Sequence, residues 1–281
     1  MSTTLADNEV TEFGMVVKHA YQGGGKLRSA VRLQTGVVGG TYRFPKIGKG
    51  QATPRIPQTN VVPMNVAHTK AEATITDWIA AEYTDIFNQQ KVNYSERQLL
   101  GHIIAMAIGR REDQLLIDAW DAETHTNTVA EGIGGSNPLN VGKFLRSSRL
   151  MTEDGVPSTD RYMTLSAFGL ENMLGITEAT SSDFNSVKAL VNGEINTYSG
   201  FQTIVIEERD EGGLPVATSN RTHWAFHGGM MGGTGLAIGL DFSVEVNYIP
   251  EKTSWLAAGK FAAGAKVIDL DGCVEIISDE S

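Results

Sequence analysis

The clearest repeat of apolar positions lies between Ser95 and Ala122. Leu100, Ile104, Ile108, Leu116 and Trp120 form one row, and Leu99, Ile103, Ala107, Leu115 and Ala119 form a second beside it. Two adjacent rows at this spacing predict one helix with a broad apolar face. Ser95 and Gln98 supply a capping-box start. A helix over 95–122 would run roughly 40 Å at ~1.5 Å per residue, long enough to act as a spine. Gly101 and Gly109 interrupt it. Each costs about 1 kcal/mol relative to alanine, so close packing of another element is expected there. The clearest strand is Leu240–Tyr248, where Leu240, Phe242, Val244, Val246 and Tyr248 alternate with Asp241, Ser243, Glu245 and Asn247.

Weaker signals fill in the rest. Val10, Phe13, Val16, Val17, Ala20 and Tyr21 predict a short helix ended by Gly23-Gly24-Gly25. After a flexible Glu131–Ser136 linker, Leu139–Met151, Ser166–Leu174 and Ser182–Val191 read as helices. Arg161–Leu165, Thr203–Ile206 and Trp224–Phe226 read as strands. Val267–Leu270 and Cys273–Ile276 flank Asp271-Gly272, a hairpin signal. This mixed order of elements predicts an α+β fold. Residues 45–63 stand apart: they hold Pro45, Pro54, Pro57 and Pro63, with Gly48 and Gly50 among Lys46, Lys49 and Arg55. Prolines confine a strand to an edge or a free ribbon. With few large apolar residues, this stretch is expected to be a long hairpin or loop reaching away from the body, and a loop of that length is usually functional.

Charge sharpens the division. The 281 residues carry a formal net charge of −10, which argues against a dedicated nucleic-acid binder. Residues 1–70 hold nine Lys/Arg and three acids, a net +6, and no acidic residue falls between Glu12 and Glu72. The remaining 211 residues hold 14 basic and 30 acidic residues, a net −16. The basic segment is open to three readings: a solvated surface, a nucleic-acid arm, or an arm that docks on an acidic partner such as another copy of the chain. Cys273 is the single cysteine, so no internal disulfide forms. No apolar run is long enough for a transmembrane helix, and Met1–Val10 does not read as a signal peptide.

No constellation points to catalysis or to a cofactor. Gly233-x-Gly235-x-x-Ile238 misses the third glycine of a dinucleotide fingerprint and runs into a strand, so the Gly228–Gly239 region is expected to be a flexible loop. Gly23-Gly24-Gly25-Lys26 lacks phosphate-loop spacing. His223 and His227 lie four apart across Trp224-Ala225-Phe226, and in a strand they would be ~13 Å apart, too far to share a metal. Cys273 sits beside acids that raise its pKa, and no Gly-x-Ser-x-Gly elbow is present. Arg110, Arg111 and Asp113 form a charge cluster with Glu112 on the long helix, read either as a solvated face or as a subunit-contact patch.

The block Asp77–Trp120 resembles the major capsid proteins of tailed bacteriophages: Glu82-Tyr83-x-Asp85, Lys91-x-Asn93, Arg97, and Ala107 through Asp113 leading to Ile117-Asp118-Ala119. Ser181–Asn185, Val191-x-Gly193, Ser199-Gly200-Phe201, Gly235–Gly239 and Gly264–Asp269 follow in the family's order. The resemblance implies the Hong Kong 97 shell fold, with an N-terminal arm at 1–38, an extended E-loop at 39–76 and a peripheral domain at 77–154. An axial domain at 155–262 and a C-terminal hairpin at 263–281, returning to the peripheral domain, complete it. It further implies pentamers and hexamers that form an icosahedral head around packaged double-stranded DNA, a virion protein assembled in the bacterial cytoplasm. No enzyme site, cofactor, metal or membrane contact is implied. Because the arm begins close to Met1, scaffolding is expected from a separate protein, with a portal and a decoration protein as further partners. Inter-subunit contacts are expected at Lys46, Lys49, Arg55, Arg110, Arg111 and Asp113. The alternatives are an encapsulin-like nanocompartment shell and a nucleic-acid binder using the basic 13–70 segment. Covalent crosslinking is not expected, since no motif identifies an Asn partner for Lys46 or Lys49.

Overall fold

The computed structural model describes residues 22–89, 91, 96–135, 137–176 and 197–281. The expected helices at 10–21 and 182–191, and the cap at Ser95, lie outside the described residues. Among the described residues, three sheets and one long helix organise the fold. The strands β1 (Arg32–Gln34), β4 (Thr76–Asp85), β11 (Thr234–Ile249) and β12 (Ser254–Val267) make a four-stranded sheet in the order β1-β11-β12-β4. A second sheet takes the order β5-β13-β10-β6-β8-β7, built from β5 (Thr128–Val129), β6 (Arg161–Leu165), β7 (Thr197–Tyr198), β8 (Phe201–Val205), β10 (Asn220–His227) and β13 (Cys273–Asp279). The short β9 (Val216–Ala217) pairs with β10. The third sheet is a two-stranded ribbon of β2 (Thr41–Ile47) and β3 (His68–Thr74).

The spine helix is α2 (Glu96–Asp121), following a single turn α1 (Ile86–Gln89). Ile104, Ile108, Leu116 and Trp120 are buried against the four-stranded sheet, as their spacing requires. Gly259 lets the helix lie close, because a Cβ there would come 2.7 Å from Ile108 Cδ1. Trp120 fills the junction between the two larger sheets: it packs on Trp224 and Phe226 of β10 and donates its Nε1–H to Thr234 Oγ1 at 2.8 Å. Two helices, α3 (Val141–Glu153) and α4 (Ala167–Leu174), cover the second sheet, burying Phe144, Met151 and Met173 against Met163, Leu165, Phe201 and Ile276. Asn140 and Ser166 cap them by accepting from Lys143 N and Gly169 N, as small polar N-caps do.

Two expectations are corrected. Val267–Ile276 is no hairpin: β12 pairs with β11 and β4, whereas β13 pairs with β10 and β5. The turn at 270–272 carries the chain from one sheet to the other, fixed by Ile268 N and Asp269 N donating to Gly233 O at 2.7 and 3.0 Å. The glycine run before Leu240 is not a flexible loop. Thr234–Gly239 begins β11, between β1 and β12, and Gly235 leaves room for the ring of Phe44, whose Cζ would sit 2.6 Å from an added Cβ. The sheets also join distant parts of the chain. Strands β11 and β12 join β4 under the spine helix, while β5 and α3 join the second sheet.

Candidate functional site

Two places gather the residues singled out by sequence. The first is a clamp on the spine helix. The strap Gly23–Val31 crosses α2 at Gly109, where the backbones nearly touch: a Cβ on Gly25 would come 2.6 Å from Gly109 O, and one on Gly109 would come 2.6 Å from Gly25 N. One turn later Asp113, fully buried, accepts from Lys26 N at 2.9 and 3.1 Å and from Leu27 N at 2.9 Å. Arg209 closes the clamp from the loop after β8, donating to Asp113 Oδ2 at 2.7 Å and to Gly24 O at 2.9 Å. Burial pushes the Asp113 carboxyl up, and the two N–H donors and Arg209 oppose it. Its neighbour Glu112 is pushed up to about 7 by burial, with Arg28 pulling the other way from 3.4 Å.

The expected contact residues of this helix each make contacts within the chain. Arg110 donates to Gln22 Oε1 and Gly23 O, both at 3.0 Å. The Arg111 guanidinium lies 3.6 Å from the centre of the Trp78 ring and 3.7 Å from Glu211 Oε1. Asp113, with no accessible surface, is bonded to the strap and to Arg209.

The second place is the ribbon. Its base is anchored by Phe44 and Ala73, buried with Ala237. Tyr42, Phe44 and Lys46 share the inward face by the two-residue period. Lys46 accordingly reaches Asp269 at 2.7 Å, and Lys49 reaches Asp271 Oδ2 at 3.1 Å and Asp154 O at 3.3 Å. The basic half of the ribbon thus lies along its own body rather than away from it. Beyond it, residues 51–65 are exposed throughout, and Ile56, Val61, Val62 and Met64 are each more than half exposed. Arg55 lies on this tip and makes no ion pair among the described residues.

The remaining candidates resolve simply. His223 sits inside β10, buried, with Nε2 2.8 Å from Ser278 Oγ, and burial pushes its pKa down to about 3. Burial also pushes the Cys273 thiol up, with Glu275 adding to the effect. Among the described residues, no group of three or more His, Cys, Asp or Glu is placed to hold a metal ion. Sequence reasoning missed Arg209, Asp269 and Asp271. The first lay in an unremarked charged run, and the other two were assigned to a hairpin turn.

A family model described as phage capsid protein matches residues 5–280. The chain belongs to the phage capsid protein family. The capsid protein also resembles solved head shells over its whole length. Against the capsid of the cyanophage P-SCSP1u the TM-score is 0.76 at 14% identity, covering 100% of this chain and 96% of that one. Against the head of Helicobacter pylori bacteriophage KHP40 it is 0.75 at 8% identity, covering 100% and 98%. A structure from Mycobacterium phage Che8 gives 0.69 at 14% identity, covering 96% and 97%. No curated protein matches. The α+β fold is the Hong Kong 97 shell fold, the family is that of a virion shell protein, and the nanocompartment alternative is not favoured. No helix among the described residues is long and apolar enough to cross a membrane.

Proposed function

We propose that this chain is the major subunit of an icosahedral phage head, forming hexamers and pentamers around packaged double-stranded DNA. The observation that carries this reading is the ribbon tip. A chain that buries Phe44 and Ala73 at the ribbon base leaves Ile56, Val61, Val62 and Met64 in water at its far end. Such a set gains free energy only when another surface covers it, and the neighbouring copy is the partner a closed shell supplies in every direction. Strength in that shell comes from many modest contacts acting together. A separate scaffolding protein, a portal and a decoration protein are the further partners of this reading.

Electron microscopy of the expressed protein tests it, with closed polyhedral shells as the expected result. Replacing Ile56, Val61, Val62 and Met64 by serine should leave a folded subunit that does not assemble. Soluble monomers of the unaltered chain that bind DNA with steep salt dependence would instead favour the basic segment as a nucleic-acid arm.

A further inference from the structure

The ribbon is tied to its own subunit by charges on the turn between the two large sheets. Asp269 caps the 270–272 turn and Asp271 is its middle residue; the turn joins the two large sheets and is held by bonds from Ile268 N and Asp269 N to Gly233 O. They meet Lys46 at 2.7 Å and Lys49 at 3.1 Å. A third tie, Lys49 Nζ to Asp154 O at 3.3 Å, comes from the end of α3. Both lysines lie just past the buried anchor Phe44, where the ribbon leaves the core, so a small change there swings the exposed tip through a large arc. Both ion pairs are partly exposed, with side-chain exposures of 36% and 36% in one and 79% and 40% in the other. Ties of this kind hold a pose at low salt and release it as salt rises.

We propose that the Asp269–Asp271 turn is an intrachain latch that fixes the launch angle of the basic ribbon, so that the free subunit presents its apolar tip ready to dock. The latch rests on the shell reading for its purpose, but its existence is a property of the single subunit. Charge complementarity between the +6 segment and the acidic body is then satisfied first within each chain, and the contact between copies is left to the apolar tip and Arg55.

The test separates contacts within and between chains. Spin labels at Gln51→Cys and Glu153→Cys report the ribbon pose in dilute, unassembled subunits, because Cys273 is fully buried and does not label. The unaltered charges should give one narrow distance distribution. Lys49→Asp or Asp271→Lys should broaden it and lower shell yield several-fold, and combining the two should restore both. Asp269→Asn keeps the acceptor for Asp271 N but removes the charge, and it should broaden the distribution too. Mixing Lys49→Asp chains with Asp271→Lys chains should not restore assembly, because each chain still carries a broken latch. A narrow distribution in the reversed variants, or rescue by mixing, would overturn the latch. Failure of the unaltered chain to form shells, with the distance results intact, would count against the shell reading alone.

Discussion

Gly109→Ala should destabilise the subunit, while Gly101→Ala, about two turns earlier on the same helix, should stabilise it. In helix propensity alone each change favours the helix by about 1 kcal/mol. At Gly101 nothing among the described residues lies within 4 Å of the added Cβ, so that gain stands. At Gly109 the Cβ would meet Gly25 N at 2.6 Å and Gly25 Cα at 3.2 Å. Ordinary contact distances then require the strap to rise by about 1 Å. Asp113 holds the next two N–H groups at 2.9–3.1 Å, and a rise of that size takes them beyond bonding range. Each bond to a buried charged group contributes about 1.5–3 kcal/mol. Relief by neighbouring segments leaves a net loss of about 2–4 kcal/mol. For a chain of this size that is a fall in Tm of roughly 5–15 °C, against a rise of about 2–4 °C for Gly101→Ala. Thermal unfolding of dissociated subunits measures both. Equal stabilisation by the two substitutions would refute the close crossing.

Glu112 makes stability depend on pH. Its folded value of about 7 lies above the ordinary 4.5, so the folded chain holds a proton that the unfolded chain releases. Stability therefore falls as pH rises from about 4.5 through 7. Glu112→Gln should remove this slope and gain on the order of 3 kcal/mol at pH 8, with no gain at pH 4, read from urea unfolding at the two pH values. Arg209→Met should cost about 3–5 kcal/mol by leaving the buried Asp113 charge short of its partner. Adding Asp113→Asn should cost less than the sum, and strict additivity in that double-mutant cycle would argue against the pair. Trp120→Phe should lose about 1–3 kcal/mol with the bond to Thr234, and Thr234→Val added to it should cost little more.

Local periodicity made the spine helix, the Arg161–Leu165 strand and the capped α3 and α4 legible, because in each the buried face is written in successive residues. The long strand at 240–248 was legible as a strand but not in extent. It begins at Thr234, where glycines that look like a loop are sites of close approach. It also carries two register shifts, at Ile238/Leu240 and Leu240/Ser243, which local alternation does not reveal. The fate of Asp113 was hidden for the same reason. Its partners lie 86–96 residues away, and on a helix drawn alone it joins Arg110 as a solvated charge. The basic character of the ribbon was visible, but its target was not, since a turn between two sheets resembles a hairpin until the pairing is known.

The second sheet has a consequence for how the subunit is made. The strand β13, the last in chain order among the described residues, takes an inner place, between β10 and β5, and Ile276 and Val274 there complete the core beneath α3 and α4. Until Cys273–Asp279 has left the ribosome, β10 has an open edge and that core is unfilled. Removing Cys273–Asp279 should therefore expose that edge and leave a subunit that aggregates instead of joining neighbours.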